Sequence, residues 1–514
     1  MIAKEKLNIL WSLEQTAEKY ADRVAVSDVN QELTWKELVK KAQVIGAELS
    51  EKVQPGNPVP VLLEKSSETL EVMLGIVYAG CFYVPVNPMN PTERLRKIME
   101  KLDPEVIISD EKGKEQLAAV GNGLENKVMG PEALKTATGT ELSEEQYSRL
   151  EQIQGQWKET DVLYGIFTSG STGTPKAIVI SHGAASRFIR HFTEIFEITS
   201  EDVIGNQAPF DFDVSVKDIY SSIMTGAQLV LIPKEYFSTP PRLLDYLCDK
   251  KVTNLTWAVS ALTLVSALKG LNYRVPESVK RVMFSGEAMP AKQLRIWQEK
   301  LPEAKFVNLY GPTEITCNCT YFPIERQYED SEKIPAGKAF PGRRVILVDE
   351  EGRQVTEPGV QGEICSAGES LANGYYKEPE QTAEKFVLYP VDGTEQRMYR
   401  TGDLGSYDEE GNIVFAGRKD FQIKHMGHRI ELEEIERSMT ALDGVEKSCC
   451  VFDTEKNRIM GFYLGEKAAS DVRKQMKEKL PVYMVPTKLI QVDEMPLNKN
   501  GKTDRNYFKN YGKK

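Results

Sequence analysis

The amino-acid sequence predicts an α/β fold: a large N-terminal domain with βα-layered sheets plus a small β subdomain, then a small α+β C-terminal domain. A chain of 514 residues is too long for one simple core. Up to about residue 330, short apolar runs alternate with amphipathic helices, which is the rhythm of a mostly parallel sheet. Glycine and short strands dominate residues 335–416, and strand–helix alternation restarts after residues 417–420. We therefore predict a large domain at 1–416 and a small domain at 421–514.

The clearest helix signal lies at residues 33–49. Thr34 and Glu37 have the spacing of a capping box, in which each side chain satisfies a free backbone N–H of the first turn. Leu33 and Leu38 flank this box at the spacing of a hydrophobic staple. The pattern predicts a helix that begins beside Thr34 and buries one apolar face.

Buried strands are predicted at residues 58–66 and 104–110, with a helix at 68–80 between them. Residues 111–160 are polar and helix-prone, so we expect a surface excursion there. A helix is predicted at residues 431–439 in the small domain. Further apolar runs predict strands, and they are VLYGIFT, QLVLIP, LTWAV, RVMFSG, FVNLYG, RRVILVDEEG, GEICSAG and GNIVFAG.

Composition and charge argue against several classes of function. The net charge is −11 and the pI is near 5.3, whereas sequence-independent nucleic-acid binding needs clustered positive charge. No apolar run approaches the roughly 18 residues of a membrane span. The seven cysteines form no CxxC pair, and Cys317 and Cys319 have no second ligand pair nearby, which argues against a metal–thiolate site or a disulfide framework. We expect a protein of the reducing cytoplasm.

One segment, FTSGSTGTPKAIVISHG at residues 167–183, is crowded with glycine and hydroxyl groups. It is not a Walker P-loop, because Pro175 precedes Lys176 where that motif needs glycine, and strand-like sequence follows. It is not the nucleophile elbow of a hydrolase, because Ser169 stands in place of the first glycine. Its backbone amides, hydroxyls and lysine still suit an anion, and the candidate contacts are Thr168, Ser169, Gly170, Ser171, Thr172, Gly173 and Lys176. The alternative is a flexible surface loop of small residues.

Taken together, the motifs of the chain resemble those of the adenylate-forming (ANL) superfamily, which includes acyl-CoA synthetases, luciferases and amino-acid adenylation domains. The resemblance covers nearly the whole chain and implies the superfamily's fold, with a hinge at residues 417–420 and a mobile small domain. The motifs occur in family order, as YAGCFYVPVNPMNPTERL (78–95), FTSGSTGTPK (167–176), NLYGPTE (308–314), GEICSAG (362–368), YRTGDL (399–404), GRKDFQIKHMGHRIELEEIE (417–436) and NKNGKTDR (498–505).

The resemblance implies that ATP and an amino acid give an aminoacyl adenylate and pyrophosphate. Lys502 matches the family lysine that bridges the reacting carboxylate and the α-phosphate. Glu314 matches the Mg²⁺ ligand, and the segment at 167–176 would hold the departing phosphates. The remaining matches to nucleotide-binding positions are Asn308 and Tyr310 at the adenine, Asp403 and Arg418 at the ribose, and Gly311 and Thr313 beside them.

The resemblance also implies a second step, in which the aminoacyl group passes to a phosphopantetheine thiol. Asp420 matches the family's hinge residue, about which the small domain would exchange its Lys502 face for its Gly427 face. A glycine at 427 would let the pantetheine arm pass close to the backbone, although a plain turn glycine is the alternative. Lys424 belongs to the same loop. Because the sequence ends shortly after NKNGKTDR, we expect the carrier protein that bears this thiol to act in trans.

Asp213, in NQAPFDFDVSV, matches the carboxylate that amino-acid-activating members present to the substrate's α-ammonium group. An unpaired buried carboxylate is costly, so Asp213 implies a cationic substrate group, and a turn aspartate is the alternative. Lys217 in an otherwise apolar pocket predicts an acidic or strongly hydrogen-bonding substrate side chain, or else an ammonium that reaches the rim or pairs with Asp211 or Asp218. The positions that match the side-chain pocket are Val214, Lys217, Val259, Met283, Ser285, Leu309, Cys317 and Asn318.

Within the superfamily, the D-alanine–carrier-protein ligases of teichoic acid modification are especially similar in NQAPF and in residues 417–436. This chain departs from them at Ser285, where they typically carry cysteine, at Leu309, where a small polar residue is usual, and at Lys217, where an apolar residue is usual. Two alternatives belong to other classes. An acyl- or aryl-CoA ligase has no ammonium group to pair with Asp213. A nucleotide-binding scaffold without activity has no reason to keep the lysine, glutamate and phosphate-loop motifs together.

Overall fold

The computed structural model describes residues 7–131, 141–170, 174–454, 456–497 and 503–511. Within these ranges, no helix combines the length and the apolar character needed to cross a membrane.

The strands follow one another along the chain as β1 Val24–Ser27, β2 Glu32–Thr34, β3 Pro58–Leu62, β4 Phe82–Pro85, β5 Ile107–Ser109, β6 Val128–Met129, β7 Val162–Thr168, β8 Lys176–Ser181, β9 Val203–Asn206, β10 Gln228–Leu231, β11 Asn254–Ala258, β12 Arg281–Ser285, β13 Lys305–Tyr310, β14 Thr320–Ile324, β15 Lys338–Ala339, β16 Arg343–Val348, β17 Gln354–Val355, β18 Gly362–Gly368, β19 Gly374–Tyr375, β20 Phe386–Val391, β21 Thr394–Tyr407, β22 Ile413–Arg418, β23 Gln422–His425, β24 His428–Glu431, β25 Lys447–Asp453, β26 Arg458–Leu464 and β27 Lys488–Gln491. The α-helices are α1 Ile9–Lys19, α2 Trp35–Ser50, α3 Ser67–Tyr78, α4 Thr92–Leu102, α5 Glu111–Val120, α6 Glu144–Gly155, α7 His182–Ile195, α8 Val214–Thr225, α9 Pro240–Asp249, α10 Val259–Ala267, α11 Ala291–Lys300, α12 Pro379–Lys385, α13 Leu432–Thr440, α14 Ala469–Lys479 and α15 Arg505–Lys509.

Two large sheets with helices between them form the body of the large domain. One has the strand order β15-β14-β13-β12-β11-β9-β10-β1-β2, and the other has the order β19-β8-β7-β4-β3-β5-β6. Side chains of both sheets and of the helices between them share one core, which includes Val26, Ile45 and Ile166. Helices also cover the outer faces, where Trp297 packs on the first sheet and Leu95 on the second. The predicted βα layering is therefore confirmed.

A third sheet, of order β17-β16-β18-β21-β20 with β22 paired to β21, forms the predicted β subdomain. Its last strand continues to Arg418, which pairs with Asp403 of β21, so this sheet reaches into the predicted boundary at 417–420. The chain then forms the hairpin β23–β24 and the three-stranded sheet β25-β26-β27. Helices α13 and α14 pack with these strands around a separate core that includes Ile435 and Met476.

Helix α2 begins at the capping signal that the sequence predicts. Thr34 is its N-cap and accepts a hydrogen bond from the backbone N–H of Glu37, while the Glu37 carboxylate accepts one from the N–H of Thr34 at 2.8 Å. Leu33 and Leu38 are both buried in the main core. The predicted capping box is thus present.

The surface excursion expected at residues 111–160 is wrong in part. After α5, Val128 and Met129 form β6, which pairs in parallel with β5 at the edge of the second sheet. A strand of two residues is too short to show the alternating pattern that identifies strands in sequence. The region therefore extends the sheet as well as covering its edge.

A close helix crossing between α2 and α3 gives a prediction about stability. A Cβ atom at Gly75 would lie 2.3 Å from Cγ2 of Ile45, so we expect Gly75→Ala to destabilise the large domain by about 1–3 kcal/mol through overpacking. Gly155, in the last turn of α6, is the matched control, because a Cβ there meets nothing within 4 Å. Gly155→Ala should leave stability unchanged or raise it by up to about 1 kcal/mol. Chemical denaturation midpoints compare the two, and equal midpoints would contradict the expectation.

Candidate active site

The candidate site lies at the carboxyl ends of parallel strands in the first sheet. Strands β11, β12 and β13 are neighbours, and their register places Ala258, Ser285 and Leu309 side by side at these ends. In open α/β sheets, ligands bind in the crevice outside this edge of the strands. The sheet thus gathers pocket positions that are far apart in sequence.

Helix α8 brings two charged side chains to this edge. Asp213 immediately precedes the helix, and Lys217 lies one turn later. The Lys217 ammonium is fully buried and donates a 2.7 Å hydrogen bond to Oδ1 of Asn318. The expectation that it reaches the rim is therefore wrong, and its hydrogen-bond partner is Asn318, not Asp211 or Asp218.

Burial is the main cause of the pKa shifts of Lys217 and Asp213. Burial lowers the pKa of Lys217, while the nearby Cys317, Asp213 and Asp218 act in the opposite direction. Burial raises the pKa of Asp213, while Lys217 and a hydrogen bond from Thr313 act to lower it. Lys217 is fully buried and Asp213 is half-buried, so a substrate that brings a complementary charge would relieve a desolvation cost.

The segment after β13 holds the pocket wall in an unusual backbone conformation. Thr316 and Cys317 both have positive φ, at 56° and 66°, and Gly311 packs so closely that a Cβ would lie 2.5 Å from Cα of Asn318. Residues held in sparsely populated backbone regions cluster at functional sites. Cys317 in this segment is buried, as are the predicted pocket positions on the sheet and α10, which are Val259, Met283, Ser285 and Leu309. Val214, at the start of α8, is partly exposed.

Three of the predicted nucleotide positions, Tyr310, Asp403 and Arg418, are in contact. Its carboxylate accepts hydrogen bonds from the hydroxyl of Tyr310 at 2.5 Å and from Arg418. Arg418 also binds both carboxylate oxygens of Asp420, at 2.6 and 2.7 Å. Asn308, on β13, donates through its amide nitrogen to the carbonyl of Pro335 at 2.8 Å. The structure therefore brings Tyr310, Asp403 and Arg418 together with the predicted hinge residue, and Asn308 lies two positions before Tyr310 on β13.

The phosphate segment is the connection of an antiparallel hairpin formed by β7 and β8. Thr168 pairs with Lys176, which begins β8, so a strand follows the lysine as the sequence predicts. A Cβ at Gly170 would lie 2.0 Å from the Thr174 carbonyl oxygen, which explains the glycine. The Lys176 ammonium lies 5.3 Å from the centre of the Tyr375 ring. Ser171, Thr172 and Gly173 lie outside the described residues.

Glu314 is almost completely buried, with 1% exposure. Both of its carboxylate oxygens accept hydrogen bonds from Arg429, at 2.7 and 2.9 Å, and Tyr375 donates to one of them at 3.0 Å. Burial alone would raise the pKa of Glu314, but the charge of Arg429 and the hydrogen bonds outweigh it, so its pKa lies below the ordinary value. The carboxylate is thus held ionised by a residue of the small domain.

The hairpin β23–β24 places its turn against the large domain. Met426 and Gly427 form the turn, with φ of 53° and 81°, and the Gly427 N–H donates to Glu287 at 3.0 Å. A Cβ at Gly427 would lie 3.6 Å from the ring of Phe212. On β23, burial lowers the pKa of Lys424, while Asp403 and Asp213 act to raise it. The predicted exchange loop therefore lies beside both predicted subsites.

A cavity of about 910 Å³ lies between this turn and the large domain. Its lining includes Ser285, Gly427 and His428, and it also includes the exposed side chains of Val29 and Lys234. It therefore connects the pocket edge of the sheet with the surface.

Lys502 lies outside the described residues. On either side of the undescribed stretch, Leu497 and Thr503 pair in an antiparallel bridge, and Arg505 binds Glu436 of the small domain. The role implied for Lys502 stays a prediction.

Sequence reasoning missed the partners of the predicted residues. Arg429 lies inside the motif at 417–436, but its ion pair with Glu314 joins residues 115 apart. Tyr375 lies in none of the recognised motifs. Sequence signals were available for Glu287, two residues after the predicted pocket position Ser285, and for Arg429, a cation within the motif at 417–436.

The side chains fit a magnesium ion held largely by its substrate. Among the described residues, no group of three His, Cys, Asp or Glu side chains could hold a metal. Mg²⁺ is commonly bound by one or two carboxylates together with substrate phosphates. Glu314 is the carboxylate that suits this mode of magnesium binding. It is buried, and in this structure the Arg429 guanidinium provides its counter-charge.

Comparison with known protein families shows the family to which this fold belongs. The family model described as AMP-binding enzyme matches residues 13–376, and that described as AMP-binding enzyme C-terminal domain matches residues 434–502. The chain belongs to the AMP-binding enzyme family. It is 31% identical over 499 residues to tyrocidine synthase 1 of Brevibacillus parabrevis, covering 96% of this chain and 44% of that protein. It is 32% identical over 504 residues to bacitracin synthase 1 of Bacillus licheniformis, covering 96% and 9%. The chain thus spans less than half the length of these two relatives.

Solved structures confirm the predicted fold. An artificially fused adenylation–PCP di-domain NRPS from Klebsiella oxytoca, NpsA-ThdA, superposes with a TM-score of 0.81 at 23% identity, over 95% of this chain and 94% of that one. The Vibrio cholerae adenylation domain AlmE, in complex with glycyl-adenosine-5′-phosphate, gives a TM-score of 0.83 at 22% identity, over 99% and 98%. The mixed α/β fold of this chain, with a large N-terminal and a small C-terminal domain, therefore matches the fold of these adenylation structures.

Proposed function

We propose that the protein activates an amino acid as its aminoacyl adenylate, with release of pyrophosphate, and transfers it to the phosphopantetheine thiol of a carrier protein supplied as a separate chain. The observation that carries this proposal is the Asp213 carboxylate, whose pKa is raised by burial at the pocket beside the nucleotide subsite. A desolvated carboxylate is stabilised by a cation, and the α-ammonium group of an amino acid supplies one. AlmE, with its glycyl adenylate, is a fold relative that binds such a product.

In the first step, the large domain would hold both reactants. Asp403 has oxygens for the ribose hydroxyls, and Tyr310 offers its ring to the adenine. The amide nitrogen of Asn308 is fixed by Pro335, which leaves its oxygen to accept from the adenine amino group. Bound Mg²⁺ would screen the phosphate charge at Glu314. Lys502 would stabilise the charge that develops as the substrate carboxylate attacks the α-phosphate.

In the second step, the small domain, which we assign to residues 421–514, would rotate about Asp420 and present the Gly427 turn, whose N–H donates to Glu287 of the large domain. The cavity beside Gly427 would admit the pantetheine arm. The sulfur forms a thioester bond with the acyl carbon as the bond from that carbon to the phosphate oxygen breaks. AMP leaves, and the thiol proton passes to solvent.

Removal of the Asp213 carboxylate tests the first step. We expect amino-acid-dependent ATP–pyrophosphate exchange with wild-type protein, and a loss of about a hundredfold or more in Asp213→Asn, because the α-ammonium group loses its buried counter-charge. A screen of standard L- and D-amino acids measures this. Asp22→Asn, at an exposed aspartate, is the matched control and should exchange like wild type.

Two results would contradict this proposal. Exchange with none of these amino acids would argue against amino-acid activation. Equal exchange by wild type and Asp213→Asn with carboxylic acids that lack an amine would favour an acyl- or aryl-CoA ligase.

The second step predicts a specific defect at the hairpin turn. We expect labelled amino acid to reach a phosphopantetheinylated carrier protein added as a separate chain. Gly427→Val should lower the ratio of transfer to exchange by about a hundredfold, because the side chain obstructs the arm beside Phe212. Gly411→Val is the control, since Gly411 also has positive φ but a Cβ there meets nothing within 4 Å. Transfer to coenzyme A and not to the carrier would contradict this step.

Lys217 supports a narrower proposal, that the substrate side chain carries a carboxylate or an amide oxygen. The buried ammonium has three donor hydrogens and donates one of them to Asn318, so an acceptor on the substrate would add to its hydrogen bonding.

We therefore expect Lys217→Met to lower exchange with the preferred amino acid by about a hundredfold relative to apolar amino acids, because a buried charge-assisted hydrogen bond is lost. The exchange screen repeated on the variant measures this preference. Lys234→Met, at an exposed lysine of the cavity lining, is the matched control. An unchanged order of preference would show that Lys217 serves only the pocket wall.

A further inference from the structure

Asp211 lines the cavity beside Gly427 and has no part in the two steps proposed above. It is half-buried and immediately precedes Phe212. The Phe212 ring lies 3.6 Å from the position of a Cβ at Gly427, and its centre lies 4.5 Å from that of the His428 ring. Asp213, proposed for the α-ammonium group, follows Phe212 in the sequence. Asp211 therefore lies beside the place where the thiol of the arm would meet the acyl group.

The charge of the Asp211 carboxylate is weakly compensated. Its Oδ2 accepts a hydrogen bond from the neutral amide of Asn87 at 3.3 Å. Arg94, a cation whose charge acts on it, is itself paired with Glu434 at 3.0 Å. Burial and the charge of Glu64 raise the pKa of Asp211 to about 6, although Asn87 and Arg94 act to lower it. A carboxylate of this pKa is ionised at neutral pH and accepts a proton more readily than an ordinary aspartate.

Two lysines and a glutamate of the cavity lining are held by other partners. Although burial lowers the pKa of Lys65 to about 7, its ammonium donates to both oxygens of Asn206 and to the carbonyl of Gln207, at 3.0–3.2 Å. Only the charged form can make these three contacts, and it has no electron pair to accept a proton. Glu64 forms an exposed ion pair with Lys234 at 3.0 Å. These groups are therefore poor candidates for a base.

The remaining titratable groups of the described lining are also less suited to accept a proton. The His428 ring stacks on Tyr483 with 3.4 Å between the ring centres, and burial lowers the pKa of His428 to about 3. Burial alone would raise the pKa of Asp28, but hydrogen bonds from Ser67 and other donors outweigh it and hold the pKa below its ordinary value. Glu235 is exposed. None of these three groups combines a place in the cavity with a raised affinity for a proton.

We propose that Asp211 is the catalytic base of the second step and takes the proton of the pantetheine thiol. The S–H bond breaks as its proton bonds to a carboxylate oxygen of Asp211. The sulfur forms its bond to the acyl carbon, the bond from that carbon to the phosphate oxygen breaks, and AMP leaves. The carboxyl group then gives the proton to solvent through the cavity. The inference rests on the proposed function, because it assigns the proton transfer within its second step.

The test uses the full chain and free pantetheine as the thiol. The aminoacyl adenylate is first formed from ATP and the amino acid that supports the most exchange, and a pyrophosphatase removes pyrophosphate. Pantetheine is then added, and formation of the thioester is followed from about pH 5 to about pH 10, a range that spans the ionisation of both groups.

Wild-type transfer should rise through about pH 6, as Asp211 ionises, and should then level. Asp211→Asn should be about a hundredfold slower at neutral pH, because general-base catalysis is lost. Its rate should approach that of wild type above about pH 8.5, where a thiol of ordinary pKa ionises without help. Asp211→Glu keeps a carboxylate and should recover most of the transfer at neutral pH.

Asp22→Asn, at an exposed aspartate, is the control and should follow the wild-type profile. A thermal melt of each variant checks folding, and the wild-type profile decides alone if Asp211→Asn does not fold. A wild-type rate that rises only with ionisation of the thiol would overturn the proposal. So would a defect of Asp211→Asn that is equally large at every pH, which a structural role would produce, or no defect at neutral pH. A wild type that forms no adenylate would contradict the proposed function itself, and this failure is visible before pantetheine is added.

Discussion

The buried carboxylate of Glu314 is the constraint on which the arrangement of the two domains depends. An ionised carboxylate with 1% exposure needs a cation and hydrogen-bond donors, and removal of the partner of a buried ion pair costs about 3–5 kcal/mol. Arg429 provides the cation here, and Tyr375 provides a donor. Because the arginine comes from the small domain, the electrostatic requirement of one side chain helps to fix the position of a whole domain. The position of the small domain in turn determines where the turn at Gly427 and the cavity beside it lie.

Charged side chains with limited access to water also shape the predicted substrate pocket. Asp213 and Lys217 stand one helical turn apart at the start of α8, so a single helix presents both signs of charge to the sheet edge. The two charges act on each other, while the hydrogen-bond partner of the Lys217 ammonium is the neutral amide of Asn318. A pocket of this kind suits a substrate that is itself zwitterionic, because each end of the substrate meets an opposite charge. Hydrophobic neighbours such as Met283 keep the dielectric low and strengthen both interactions.

The sequence allowed the local features of the fold to be predicted, and the reasons are physical. The capping box at Thr34 and the strand after Lys176 depend on residues a few positions apart, and both were correct. The pairs at the site are non-local: Lys217 and Asn318 are 101 residues apart, and Arg429 and Glu314 are 115 apart. Motif resemblance named most members of these pairs but not which residue contacts which. Burial depends on the assembled sheets, which is why the sequence left open whether Lys217 reaches the rim, and the structure shows that it does not.

Arg418 connects the nucleotide subsite to the predicted hinge. Its guanidinium binds Asp403, the carboxylate proposed for the ribose, and both oxygens of Asp420. Five donor hydrogens in a rigid fork allow one arginine to hold two carboxylates at once, which a lysine would not do with the same geometry. If Asp403 accepted hydrogen bonds from ribose hydroxyls, its interaction with Arg418 would change. Because Arg418 also binds Asp420, the interaction with Asp420 would change as well. Arg418 therefore links the carboxylate proposed for the ribose to the predicted hinge residue, at the opposite end of β23 from the turn that carries Gly427.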